Sequence, residues 1–174
     1  DAAPDEALTA RYRQRLEEAS LDTTVAHVEE PIRRTEREAF RGESRIGNFV
    51  ADAYRWAAED ELGTTDGVVG LQNSGGIRTG PPLAGEVTVA DLVSLVPFEE
   101  PVVVLECSGE ELLATFREAA DTPGFGESEW WHAHVSGARL VYDHNDDELV
   151  EARVGGDPID ATKRYSLATS EFLL

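Results

Sequence analysis

Asn73-Ser74-Gly75-Gly76-Ile77-Arg78 gathers most of the recognition chemistry that this sequence offers. Two adjacent glycines, Gly75 and Gly76, let a backbone approach a ligand closely. Asn73 carries both a donor and an acceptor, as recognition of a base edge requires. Arg78 ends in a planar fork of donors suited to phosphate or ribose oxygens. The same residues also make an ordinary turn. Phe98, directly after Pro97 at the end of an apolar segment, and Phe172, near the end of a strand, each fit a core better than a ligand platform when taken alone. If the two rings faced one another they would clamp a planar base, each stack contributing about 1–3 kcal/mol.

Other constellations are weaker. His132 and His134 alternate along a strand and share a face, which suits a metal. No third ligand has a convincing spacing, however, and the neighbouring Trp130-Trp131 point to packing. Asp143-His144-Asn145-Asp146-Asp147-Glu148 has the charge of a calcium loop, but Glu148 stands where that loop needs glycine, so a solvated hairpin turn fits better. Cys107 precedes a helix cap that would lower a thiol pKa, yet a buried structural cysteine fits it better. No nucleophile elbow, P-loop or dinucleotide fingerprint is present.

These residues need a scaffold, and the pattern supplies one. Residues 4–21 are expected to be helical, with Leu8, Tyr12, Leu16 and Ala19 at helical spacing. A short strand at Val25 to Val28 and a charged segment from Arg33 to Arg45 come next. A second helix runs from about Gly47 to Leu62, with Phe49, Ala53, Trp56 and Ala57 on one face. Val68 to Leu71 reads as a buried strand that delivers the Asn73 loop, and Thr79 to Pro82 prolongs that irregular segment. A short strand and helix lie between Val87 and Val96, and Pro101 to Glu106 is β-rich. Ser108 and Glu111 form a capping box for a helix reaching about Ala120. Residues 122–129 are a loop. Three further strands, Val135 to Asp143, Leu149 to Val154 and Arg164 to Thr169, are separated by turns. Helices and strands without a strict alternation predict an α+β (mixed α/β) fold, a mixed sheet with flanking helices.

The chain has 174 residues and a net charge of −20, with Lys+Arg 15 against Asp+Glu 35. That length suits one domain burying roughly 70% of its unfolded surface. The charge argues against a nucleic-acid or anionic-membrane surface, and no apolar run is long enough to span a bilayer. A single cysteine excludes an intrachain disulfide. Scarce lysine (Lys163 alone) and excess carboxylate suggest a salt-loving source, where a Debye length of roughly 3 Å at about 1 M salt screens the self-repulsion. There is no methionine, even at position 1, so the chain reads as a fragment or excised domain.

In order, these pieces resemble a known family. Gly42-Glu43-Ser44-Arg45-Ile46-Gly47-Asn48-Phe49-Val50-Ala51-Asp52-Ala53 resembles the opening signature of the 5'-nucleotidase C-terminal domain, and Asn73-Ser74-Gly75-Gly76-Ile77-Arg78 its central motif. Val96-Pro97-Phe98, the capped helix after Ser108, Val135 to Asp143 and Tyr165 to Leu173 resemble the later segments of that domain. The resemblance covers roughly residues 30–174, with 1–29 left as a linker helix and lead-in strand. It implies a fold like that domain's and a place in a two-domain 5'-nucleotidase or 2',3'-cyclic-nucleotide phosphodiesterase that converts nucleotides to nucleoside and phosphate.

In such enzymes an N-terminal metallophosphoesterase domain of the same polypeptide holds two divalent metals and does the hydrolysis. The C-terminal domain binds the nucleoside part, and domain rotation delivers it to the metals. The resemblance implies that Phe98 and Phe172 sandwich the base, Asn73 reads its edge and Arg78 holds ribose or phosphate oxygens. An arginine before the Gly-Asn signature also serves the family, Arg41 being the nearest candidate and Arg45 the second. The family's subsequent Gly-Gly-Asp segment is absent, as are its metal-binding motifs, so this chain alone is expected to hydrolyse nothing. An extracellular or cell-surface place and a role in nucleotide catabolism are likewise implied. The competing expectations are the equivalent domain of a UDP-sugar hydrolase or a sulfur-oxidation thiol hydrolase, or a non-catalytic acidic interaction module.

Overall fold

A computed structural model describes residues 6–35, 42–121, 133–143, 145–146 and 148–174. Helix α1 (Glu6–Glu18) precedes strand β1 (Thr24–Arg34). Helix α2 (Arg45–Leu62) leads to β2 (Val68–Asn73), a single 3-10 turn (Ser74–Gly76), β3 (Gly80–Thr88) and the short helix α3 (Val89–Leu95). Strand β4 (Val102–Ser108) and helix α4 (Gly109–Asp121) come next, then β5 (Ala133–Ser136), β6 (Ala138–Asp143), β7 (Glu148–Val154), β8 (Asp157–Pro158), β9 (Arg164–Ser170) and a last 3-10 turn (Glu171–Leu173). The mixed α/β class expected from the sequence is the class observed.

The central sheet runs in the order β4-β9-β2-β5. Strand β9 pairs parallel with β2 and antiparallel with β4, while β5 is antiparallel to β2. Strand β2 is buried along its whole length, which is why it reads as a continuous apolar run rather than an alternating one. One face of this sheet receives α2 through Ala58, Val68 and Ala168. The opposite face packs Val69, Leu71 and Leu167 against Leu112 and Phe116 of α4 and Val154 of β7. Phe116 has no exposed surface, and burying such a side chain contributes about 1.5–3 kcal/mol. Tyr142 Oη donates to Phe116 O at 2.8 Å and ties the β6-β7-β8 sheet to α4; burial pushes its pKa up to about 12.

A second cluster joins Ile46 and Val50 of α2 to Ile77, to Leu83 and Val87 of β3, and to Leu95 of α3. The turn after β2 therefore hangs between two cores, with Leu71 in one and Ile77 in the other.

Several details differ from the sequence expectation, among them β1, which runs on to Arg34 instead of ending near Val28. The buried stripe of α2 is Ile46, Val50, Ala51 and Ala58, whereas Phe49 and Trp56 of the expected face are 38% and 69% exposed. Ser44 caps that helix by accepting from Gly47 N at 3.0 Å, so it starts earlier than expected. Gly80, Pro81 and Pro82 belong to β3: prolines are tolerated there because, among the described residues, the strand pairs only with β1, at a register shift between Ile32 and Arg34. The run from Val135 to Asp143 is two strands in two different sheets. Gly137, at φ +73°, breaks it, and a Cβ there would meet Val68 O at 2.5 Å. The capping box at Ser108 forms as expected, with Ser108 N and Oγ donating to Glu111 and Glu111 N donating to Ser108 Oγ.

Candidate functional site

Adjacent parallel strands deliver their C-terminal loops to the same edge of a sheet, where α/β proteins place ligands. Strands β2 and β9 are such a pair. Asn73 closes the first and Ser170 the second, so the Asn73-Ser74-Gly75-Gly76 turn and the Phe172 turn emerge side by side despite their distance in sequence. A third segment, Val96-Pro97-Phe98, leaves the end of α3 toward the same place.

Main-chain hydrogen bonds tie the three segments together. Arg78 N donates to Leu95 O at 2.8 Å, and Glu171 N donates to Pro101 O at 3.1 Å. The buried Arg34 of β1 reinforces the first tie. Its guanidinium donates to Arg78 O at 3.3 Å, to Ser94 O at 3.0 Å and to Ser94 Oγ at 3.0 Å. Burial lowers the Arg34 pKa, opposed by the nearby Asp91 carboxylate. Arg34 lies in the run that the sequence presented as a charged stretch; only its register on β1 places it inside.

The result is a pocket of about 410 Å³. Asn73, Gly75, Gly76 and Arg78 line it from the turn after β2, with Phe98 and Phe172 from the other two segments. Tyr54 of α2, Gln72, Val96, Glu100 and Ser170 complete the wall. Phe98 and Phe172 are 44% and 67% exposed, so neither ring serves the core. The Arg78 guanidinium lies 5.9 Å from the centre of the Phe98 ring, within cation–π range. Burial raises the Tyr54 pKa, and the charge of Glu100 adds to the rise.

Six of the residues singled out from sequence thus surround one cavity. Arg45 is not among those lining it. It sits exposed at the start of α2 and pairs with Glu30 at 3.4 Å. Arg41 lies outside the described residues. Tyr54, Gln72 and Glu100 were not anticipated. Tyr54 was legible only as the next step of the Ile46-Val50 stripe, and Glu100 came after the Pro97-Phe98 corner without a motif of its own.

The remaining candidates sit elsewhere. His134 is buried in β5, its ring against Gly47, where a Cβ would come within 2.1 Å of it. His132, Trp130 and Trp131 lie outside the described residues. Among the described residues no group of three His, Cys, Asp or Glu side chains is placed to hold a metal ion. Asn145 N donates to Asp143 Oδ1 at 2.9 Å in the β6-β7 turn, as a solvated hairpin requires. Burial, then Glu111, pushes the Cys107 thiol pKa up, which disfavours a reactive thiolate. No described helix is long and apolar enough to cross a membrane.

Comparison with known proteins gives a consistent result. The family model described as "5'-nucleotidase, C-terminal domain" matches residues 24–174. An apyrase of Tabanus yao is 34% identical over 145 residues, covering 74% of this chain and 26% of the relative. The crystal structure of a 5'-nucleotidase precursor from Thermus thermophilus superposes with a TM-score of 0.78 at 27% identity, over 97% of this chain and 33% of that one. The NAD nucleotidase of Haemophilus influenzae shares the fold at a TM-score of 0.71 and 19% identity, over 97% of this chain and 31% of that one. The chain therefore spans a quarter to a third of these relatives' length. By the extent of the family match and of the aligned sequence, the chain belongs to the 5'-nucleotidase C-terminal domain family.

Proposed function

We propose that this chain is the substrate-binding part of a two-domain, metal-dependent phosphoesterase, and that its pocket holds the nucleoside portion of a nucleotide. One observation carries the reading: two solvent-exposed phenylalanines border a single cavity together with the Asn73 amide and the Arg78 guanidinium. Exposed rings beside a cavity suit a planar heterocycle, because stacking is tolerant of base identity. Asn73 would meet the base edge, and Arg78 the ribose or phosphate oxygens. Two divalent ions in a preceding domain would activate water for attack on the phosphate ester. This chain's own part would be to bind, orient and present the ester.

The excess of carboxylate and the single lysine support a high-salt setting; a place outside the cell rests on the family likeness alone. Stacking survives salt, whereas long-range repulsion of an anionic nucleotide is screened by it. Calorimetric titration with adenosine and AMP, at low and molar salt, tests both points. Binding that persists or tightens with salt, without phosphate release from AMP, is expected. Failure of both ligands to bind in either condition would overturn the proposal, and steep loss of binding with salt would overturn its halophilic part.

A further inference from the structure

The pocket contains an amide pair whose polarity is fixed by the backbone. Gln72 is 1% exposed. Its Nε2 donates to Asn73 O at 2.8 Å and to Asn73 Oδ1 at 2.9 Å. Side-chain amides are usually ambiguous, because nitrogen and oxygen look alike. A main-chain carbonyl is not ambiguous, since it only accepts. The Gln72 atom facing Asn73 O must therefore be the nitrogen. The Asn73 side-chain atom facing that same nitrogen must then be the oxygen. Among the described residues no hydrogen bond uses Asn73 Nδ2, and Asn73 lines the pocket.

Two further features fit this arrangement. The Gln72 Oε1 atom is buried and has no hydrogen-bond partner among the described residues. Such an orphan is unfavourable and asks for an explanation. Turning the amide over would set Oε1 against the carbonyl of Asn73, which is worse. Gly76 covers the pair: a Cβ there would lie 2.0 Å from Gln72 Nε2 and 3.1 Å from Asn73 Oδ1. Gly76 thus leaves room for an amide pair.

We infer that Gln72 is a positioning residue that locks the Asn73 carboxamide with its oxygen inward and its N–H₂ toward the pocket, so that the slot takes the acceptor edge of a planar heterocycle. The inference rests on the proposed function in naming a heterocycle as the ligand. The lock itself is a property of the free protein, so the two can fail separately.

The test titrates adenosine and its 1-, 3- and 7-deaza analogues, each of which replaces one ring-nitrogen acceptor by C–H. One analogue should bind the parent chain about tenfold more weakly than adenosine, the loss of one hydrogen bond. In Gln72→Met that difference should shrink below about threefold, because the Asn73 amide is free to turn. Asn73→Ala should abolish it. A merely structural Gln72 would weaken all four ligands alike and leave the difference intact, which overturns the inference; so would a parent chain that penalises none of the analogues. Side-chain amide exchange in the ligand-free parent decides the matter if no nucleoside binds or the variant does not fold. Slow exchange at Gln72 Nε2 with fast exchange at Asn73 Nδ2 supports the lock, and the reverse order refutes it.

Discussion

Phe172 offers a sharp separation of binding from folding. Its ring is 67% exposed and comes after β9 in a turn held by the bond from Glu171 N to Pro101 O. Replacing Phe172 by Ala removes little surface that folding had buried, so stability should change by no more than about 0.5 kcal/mol. For a domain of this size that is a melting shift within about 2 °C. If the ring forms one jaw of a base clamp, its loss should cost about 1–3 kcal/mol of stacking. That is a roughly five- to 150-fold weaker Kd for adenosine. Thermal unfolding and calorimetric titration on one preparation read both quantities. Phe172→Leu is the control that keeps apolar bulk without a π face, and it should recover little of the loss. Adenosine binding within twofold of the parent in Phe172→Ala would refute the clamp. A large drop in melting temperature would show instead that the ring belongs to the fold.

Three further outcomes are expected. Arg34→Met removes the buried guanidinium that holds Arg78 O and Ser94 O, leaving carbonyls without their donor. It should destabilise by at least about 2 kcal/mol and weaken adenosine binding; an unchanged melting curve would refute the role. Gly47→Ala pushes a methyl into the His134 ring at 2.1 Å and, by overpacking, should cost about 1–3 kcal/mol or more. Chemical denaturation of soluble protein gives the value, and a midpoint equal to the parent's would contradict the packing described. At the α4 cap, donation from Ser108 N and Oγ holds the Glu111 pKa below its ordinary value. The stabilisation from that contact is present above the usual carboxylate range and fades as pH falls through the lowered pKa. Ser108→Ala should therefore lower stability near neutrality and progressively less in acid; a pH-independent difference would exclude the mechanism.

Much of the site was legible from local chemistry. The amide, the glycine pair and the guanidinium sit within one loop, and that loop leaves a strand too apolar to lie anywhere but inside. The two phenylalanines were legible as individuals. Their convergence depends on β9 lying parallel to β2 and on Leu95 O accepting from Arg78 N, which are long-range pairings that no local pattern encodes. Arg34 was hidden because a guanidinium in a charged run looks solvated until its strand register is known. Tyr54 was hidden behind a misassigned face of α2. Trp56 and Phe49 were the most apolar residues at helical spacing there, yet Gly47 and Gly70 let the helix approach the sheet along the opposite stripe. A Cβ at Gly70 would stand 2.1 Å from Ala51 O, so small residues set that contact. Gln72, flanked by Leu71 and Asn73, carried no signal, because its importance lies in which way an amide faces.

The jaws of the slot are suspended from peptide groups. Arg78 grips Leu95, and Glu171 grips Pro101, through main-chain atoms that every residue type except proline can supply on the donor side. The width of the opening is thereby decoupled from the identity of the rings that furnish it. If the slot holds a planar heterocycle as proposed, tyrosine or tryptophan in place of either phenylalanine should change its affinity and leave the frame standing.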